Sequence, residues 1–378
     1  MIKFGFRRNL LYLAMLIIFN FLRKIDFIVI DQAIGLDGSL FLTFLMFLGE
    51  LVAGLIIYLY QISFLPKKKE EATFMGIKLI TKSLNMSQRD SKFKIYLLIL
   101  IASFFDFVEF IMGTLYLPKY KDVSKSLAMR LSSMLTISSS LLCYYLLKLP
   151  IYRHQKCSLS IIFFCLIILI ISECFFELFH TERNSNTFIL VLFLVFINHF
   201  FTSYKDVVEK YLLEYDFINP FFLLMIEGIF GCIITFIYSF LENPFKEIMV
   251  IYDDTNKFIL LIFLLFLFFF LSGGRNAYRV MTNKIYSPMT RTLTDSFLDP
   301  FLLVYYYLFE KDFKCGERNE QNIFYFIINL VILIIICFCG SVYNELFILY
   351  YKNLEYDTHL EISKRASSIG ELDNESEE

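Results

Sequence analysis

Runs of twenty or more mostly apolar residues follow one another along nearly the whole chain, separated by short polar stretches. A bilayer's hydrocarbon core takes about 20 apolar residues per helix. With a few polar interruptions allowed, the pattern predicts ten membrane-spanning helices near residues 10–30, 39–62, 94–116, 125–147, 158–178, 188–212, 219–241, 258–280, 286–308 and 323–349. The first is broken by Arg23, Lys24 and Asp26. Its opening, "MIKFGFRRNLLYLAMLIIFNF", has no small-residue cleavage site and is followed by many further spans, so a retained helix is expected rather than a signal peptide.

Composition agrees with the pattern. The 378 residues are 57% hydrophobic, against about 45–50% in soluble domains. The 46 Phe and 24 Tyr accompany abundant Ile, Lys and Asn, so aromatic richness carries no functional weight. A net charge of −2 gives no reason to expect nucleic acid as a partner; the lipid bilayer is the expected surroundings. Most of the 8 cysteines fall inside apolar runs without CxxC spacing, which suggests neither a zinc site nor a disulfide framework. There is no P-loop, and the four histidines form no HExxH. No enzyme activity, cofactor or metal is expected.

The basic blocks set the expected orientation. Lys3, Arg7 and Arg8 precede span one, Lys67 to Lys94 follow span two, and Lys148, Arg153 and Lys156 follow span four. All are cytosolic if both termini are, and Asn85 and Asn374, which match the glycosylation pattern, would then stay unmodified. The end of the chain, residues 351–378, is acidic and aperiodic and is expected to be a disordered cytosolic tail.

Ten spans divide into two five-helix halves, 9–180 and 188–350, and an odd number per half inverts the second relative to the first, as in many secondary transporters. A trace of such a repeat is visible. Span four, "SLAMRLSSMLTISSSLLCYYLL", aligns with span nine, "SPMTRTLTDSFLDPFLLVYYYL", on Arg130 and Arg291, with further matches at Ser126 and Ser287 and at Tyr144 and Tyr305.

The ionisable residues within spans need a reason, because each costs about 2.5–3.5 kcal/mol at mid-membrane on insertion scales and by default faces a cavity or a partner. They are Glu50, Asp106, Glu109, Arg130, Glu173, Glu177, Glu227, Arg275, Arg279, Arg291, Asp295 and Asp299. Arg291, Asp295 and Asp299 share one helix face at four-residue spacing. Either Arg291 and Asp295 neutralise each other, or the stripe lines an aqueous pathway. Asp106 and Glu109 serve as proton relays, with Asp295 a third candidate, or they accept hydrogen bonds from Ser132 and Ser133. Arg275 and Arg279 read as anchors at the cytosolic end of span eight, and Glu173 and Glu177 as interfacial groups. Gly228, Gly231, Gly273 and Gly274 suggest close helix packing, and Pro300 a kink in span nine.

Several segments resemble, in order, those of the drug/metabolite transporter superfamily, nearest to solute carrier family 35, subfamily F. They are "MFLGE" at 46–50, "FFDF" with Asp106, "MRLSSMLTISSSLL" at the head of span four, "VVEKYL" at 207–212, "NPFFLLMIEGIFG" at 219–231 and "SPMTRTLTDSFL" at 287–298. The resemblance implies an all-α membrane protein of two inverted five-helix repeats around a central cavity. By position it places Asp106, Arg130, Arg291, Asp295 and Ser296 at the substrate, and leaves Glu50, Glu227, Gly228 and Gly231 in motifs of structural character. Span one departs from the pattern.

The function expected is secondary transport of a small organic solute, anionic or nucleotide-sugar-like, across an endomembrane such as Golgi or endolysosome, by a chain for which a homodimer remains open. Two alternatives stand beside it: a receptor or interaction protein that keeps a transporter fold without transporting, and a proton-coupled exporter of amino acids or small metabolites.

Overall fold

A computed structural model describes residues 2–4, 10–30, 40–64, 92–113, 131–180, 185–240, 255–309, 320–358, 361–362 and 365. Ten helices can be named among them: α1 (Leu10–Val29), α2 (Leu40–Phe64), α3 (Lys92–Ile111), α4 (Met134–Leu146), α5 (Arg153–His180), α6 (Ser185–Glu214), α7 (Pro220–Ser239), α8 (Thr255–Ile285), α9 (Pro288–Phe309) and α10 (Glu320–Tyr343). Six of them, α2, α5, α6, α7, α8 and α10, are long and apolar enough to cross a membrane. The charges of α1, α3 and α9 dilute their apolar character, and α4 is short at 13 residues.

The side-chain distribution departs from that of a protein folded in water, although apolar residues also fill much of the interior. Large apolar residues face outward on the long helices, among them Ile56, Phe164, Phe236, Phe263 and Phe324, while Glu50, Lys205, Arg279 and Asn329 are buried. Where the surroundings are hydrocarbon, an exposed phenylalanine costs nothing and a polar group must find its partner inside. Six long apolar helices with this distribution fit an integral, multi-pass membrane protein.

Contacts group the chain into two compact units, one of Met1–Leu11, Tyr120–Phe200 and Met289–Glu378, the other of Tyr12–Lys119 and Phe201–Pro288. Each draws residues from both halves of the sequence, so the grouping cuts across the division at 180/188. In the second unit α2 packs on α7, α8 and α3, and α7 also packs on α3 and α8; in the first, α5 packs on α10 and α4.

Glycine permits the closest of these approaches. A Cβ on Gly49 would lie 2.6 Å from the Phe269 carbonyl oxygen, and one on Gly273 would lie 2.6 Å from the Gly49 oxygen, so α2 and α8 touch backbone to backbone. A Cβ on Gly228 would lie 2.5 Å from the Leu51 nitrogen, which closes α7 on α2 in the same way. The packing expected of Gly228, Gly231, Gly273 and Gly274 is thus observed, and Gly49 and Gly54 join them.

Local chemistry ends the helices. Asn219 caps α7, its side-chain oxygen accepting from the nitrogens of Phe221 at 2.9 Å and Phe222 at 3.4 Å, and Pro220 follows at the position where a missing N–H is harmless. Lys148, Phe217 and Glu345 adopt left-handed conformations just past α4, α6 and α10, with return bonds such as Leu149 N to Cys143 O at 3.3 Å and Ile218 N to Leu212 O at 3.2 Å. α9 continues through Pro300 as one helix.

Two differences from the sequence expectation concern the C-terminal region. The last helix stops at Tyr343 rather than near 349, because Asn344 bonds back to Gly340 and Glu345 turns left-handed. Phe347–Leu349 then forms β2, paired antiparallel with β1 (Ile2–Phe4) in the register Ile2 with Leu349 and Phe4 with Phe347. An apolar tripeptide after an apolar helix has no sequence mark that separates strand from helix. Residues 351–358, expected to be disordered, form turns in which Thr358 is buried and Asp357 lies 3.9 Å from Arg153.

Candidate functional site

The largest polar assembly among the described residues lies inside the second unit, on helices that are mostly apolar. α6 carries it in "KDVVEK", where Lys205 and Glu209 stand four apart, as do Asp206 and Lys210, on adjoining tracks of the helix. All four side chains are buried. α8 answers with Arg275 and Arg279, again four apart and buried.

Arg279, at 0% exposure, is the hub. Its Nη1 lies 2.7 Å from Glu209 and 3.7 Å from Asp206, and its Nη2 lies 3.5 Å from Glu227 on α7. A guanidinium suits this task because its fork of donors can serve several carboxylates at once. Lys205 pairs with Asp106 of α3, with both side chains buried. Asn276 links the remaining pieces: its carbonyl oxygen accepts from Arg275 Nη1 at 2.8 Å, and its amide donates to Glu50 of α2.

At the end of α8, Lys210 donates to the carbonyls of Asn283 (2.9 Å), Lys284 (3.3 Å) and Tyr286 (2.9 Å), and pairs with Glu214 at 2.6 Å. An ammonium at a helix C-terminus satisfies carbonyls that have no intrahelical partner. Asn283 donates in return to the Asp206 carbonyl at 2.9 Å and to Glu209 at 3.2 Å, which ties α6 to α8 at both levels.

The first unit holds a second polar group of different character, built mainly from hydroxyls. On α4 and the turn before it, Ser132, Ser133, Thr136, Ser139 and Ser140 are buried, as are Thr290, Arg291, Thr292, Thr294, Ser296 and Asp299 on α9. Ser132 donates to Asp299, and Thr136 and Thr292 share a hydrogen bond of 2.9 Å. Cys337 of α10 donates to the Ser296 carbonyl at 2.8 Å.

The residues predicted from sequence fall into these two groups. Asp106 is buried against Lys205, and Glu109, on the same helix, is half-buried. Arg291 and Ser296 are buried and Asp295 is half-buried on α9, in the other unit. Arg130 lies outside the described residues. Ser132 serves Asp299, and not Asp106 or Glu109 as one of the two alternatives for those carboxylates had it. Arg279 is the centre of the charged cluster and not an interfacial anchor, and Glu173 is buried rather than interfacial.

The sequence pattern does not single out Lys205, Asp206, Glu209 and Lys210. A signal is present all the same, since four charges in six residues inside a predicted span cannot all face lipid. The run sits near the end of that span, where charges ordinarily reach the headgroups. Among the described residues no cluster of His, Cys, Asp and Glu is arranged to hold a metal ion. Compared with known proteins, the chain matches no family model and no curated sequence.

Proposed function

We propose that this chain is a secondary transporter that moves a small organic solute across a membrane by alternating access, built from ten spans in two inverted five-helix repeats like the drug/metabolite transporters it resembles. The observation that carries the reading is the buried charged cluster around Arg279. Membrane scaffolds and anchors have little use for so many ionisable groups away from water, whereas a carrier needs groups that re-pair as its site opens to each side.

Helix pairing supports the repeat. Replacing each helix by the one five places along turns the α2–α8 contact into α3–α7 and α7–α8 into α2–α3, and leaves α2–α7 and α5–α10 as they are. Glu50 on α2 and Glu227 on α7 occupy corresponding helices, and each stands next to a glycine that the other helix touches or its neighbours touch. Pairing of this kind is what a duplication of five helices would leave, whichever way its second half points.

In this reading Arg291, with Arg130, meets the charge of an anionic solute, and Asp295 and Ser296 present the polar face of α9. The compartment is an endomembrane with both termini cytosolic. The test is counterflow in proteoliposomes loaded with a mixed pool of nucleotide sugars, nucleotides, amino acids and organic anions. Trans-stimulated uptake of one class, lost in a folded Arg291→Ala variant, supports the reading. Absence of exchange by well-folded protein overturns it in favour of a receptor on a transporter fold.

A further inference from the structure

The cluster in the second unit does not balance its charges. Apart from Lys210, which is taken up by Glu214 and the carbonyls at the end of α8, five carboxylates, those of Glu50, Asp106, Asp206, Glu209 and Glu227, face three cations, Lys205, Arg275 and Arg279. Arg279 serves Glu209, Asp206 and Glu227, and Lys205 serves Asp106. Glu50 is left with a neutral amide. Its Oε1 accepts from Asn276, its Oε2 has no hydrogen-bond partner among the described residues, and its exposure is 0%. An ionised carboxylate held this way in low dielectric carries a desolvation cost of several kcal/mol, offset only by Lys205 and Arg279 acting from beyond ion-pair contact while they serve other carboxylates. Neutralisation by a proton removes that cost and leaves the Asn276 bond intact.

We propose that the Glu50 carboxyl is a proton-binding site within the membrane, loaded in this state and emptied to water in another state of the transport cycle. Loading forms one O–H bond at Oε2 from a hydronium ion and leaves water; release reverses the step. The assignment moves proton binding away from Asp106, whose charge is held by Lys205.

The surroundings make Glu50 a coupling group and not merely a neutral one. The charged side chains acting on it are Asp106 of α3, Lys205 and Glu209 of α6, and Arg279 of α8, while Glu50 in turn acts on Glu227 and on the Cys232 thiol of α7. A negative charge appearing on Glu50 therefore competes with Asp106 for Lys205 and with Glu209 for Arg279. Asp26 of α1 is also buried with neither oxygen hydrogen-bonded among the described residues, but it is not among the charges that act most on Glu50, Asp106, Glu227 and Arg279. Gly49 and Gly273 set the geometry: their close approach brings Asn276, one turn beyond Gly273, to Glu50.

Proton binding can be tested without transport, whereas its role in coupling rests on the transporter reading. The first experiment is infrared spectroscopy of the full chain in detergent at neutral pH. The carbonyl stretch of a protonated carboxylic acid is expected in the native protein and is expected to lose intensity in Glu50→Gln, which copies the neutral form and should melt no lower than the native protein. A shifted band in Glu50→Asp identifies the side chain. A band untouched by Glu50→Gln, or removed instead by Asp26→Asn or Asp106→Asn, overturns the proposal.

The second experiment places the protein in liposomes loaded with the mixed solute pool under an imposed pH gradient. Acceleration by the gradient, abolished in Glu50→Gln, is the expected result; acceleration that survives the substitution overturns the coupling role. Exchange with no Glu50-dependent band would leave the transporter reading standing without this site. A Glu50-dependent band with no flux of any kind would leave the site standing without the transporter.

Discussion

Arg279 of α8 and Glu209 of α6 meet at 2.7 Å with neither side chain reaching solvent. The same guanidinium also faces Asp206 and Glu227, so one side chain holds three carboxylates from two other helices. Removing it should cost far more than removing any one of them. Arg279→Met is expected to destabilise the protein by about 3–5 kcal/mol, because it leaves buried charges uncompensated. Thermal unfolding in detergent would show this as a large fall in melting temperature. A variant that melts like the native protein would mean that water or lipid headgroups reach the site.

Asp106 and Lys205 form a simpler case, since each is the other's ion-pair partner across α3 and α6. Asp106→Asn and Lys205→Met should each destabilise, and the double variant should recover part of the loss, with a coupling energy of about 0.5–3 kcal/mol. Strict additivity in a double-mutant cycle would remove the pair from the account of stability.

The α2–α8 contact should be intolerant of even one carbon. Gly49→Ala and Gly273→Ala would each push a methyl to 2.6 Å from a backbone oxygen, and backbone cannot swing aside as a side chain can. Overpacking of this kind typically costs about 1–3 kcal/mol. Gly113→Ala, with nothing within 4 Å of the added carbon, is the matched control and should melt like the native protein. Equal melting temperatures for all three would refute the close approach.

The α7 cap offers a milder test. Asn219→Ala removes the acceptor for Phe221 N and the 3.0 Å hydrogen bond to Gln61 of α2, and should cost about 1 kcal/mol. Asn219→Asp should keep the cap but lose the donor to Gln61, and so fall between the two. The ordering of the three melting temperatures checks this directly.

Much of the architecture is legible in the sequence. The helices follow the apolar runs closely, as with α1 at Leu10–Val29 against an expected 10–30, because a membrane helix must keep its outward face apolar over a length set by the bilayer. Glycines in "EGIFG" and "SGG" announced close packing for a similarly direct reason: only a missing side chain lets two backbones touch. Asp106 and Arg291 were recognisable as buried because a charge inside such a run must avoid lipid.

What the sequence could not supply was the choice of partner. Asp106 has serines and a lysine among its conceivable neighbours, and the linear order does not say that Lys205, about a hundred residues away, is the one that reaches it. The same holds for Arg279, which reads as an anchor when only its own helix is considered and becomes the hub once α6 and α7 are brought beside it. Hydrophobic periodicity reports whether a position can face lipid, a property of one helix at a time. Charge pairing is a relation between helices, and Glu50 stands out as the carboxylate bonded to a neutral amide only after packing has brought Lys205 to Asp106 and Arg279 to Glu209.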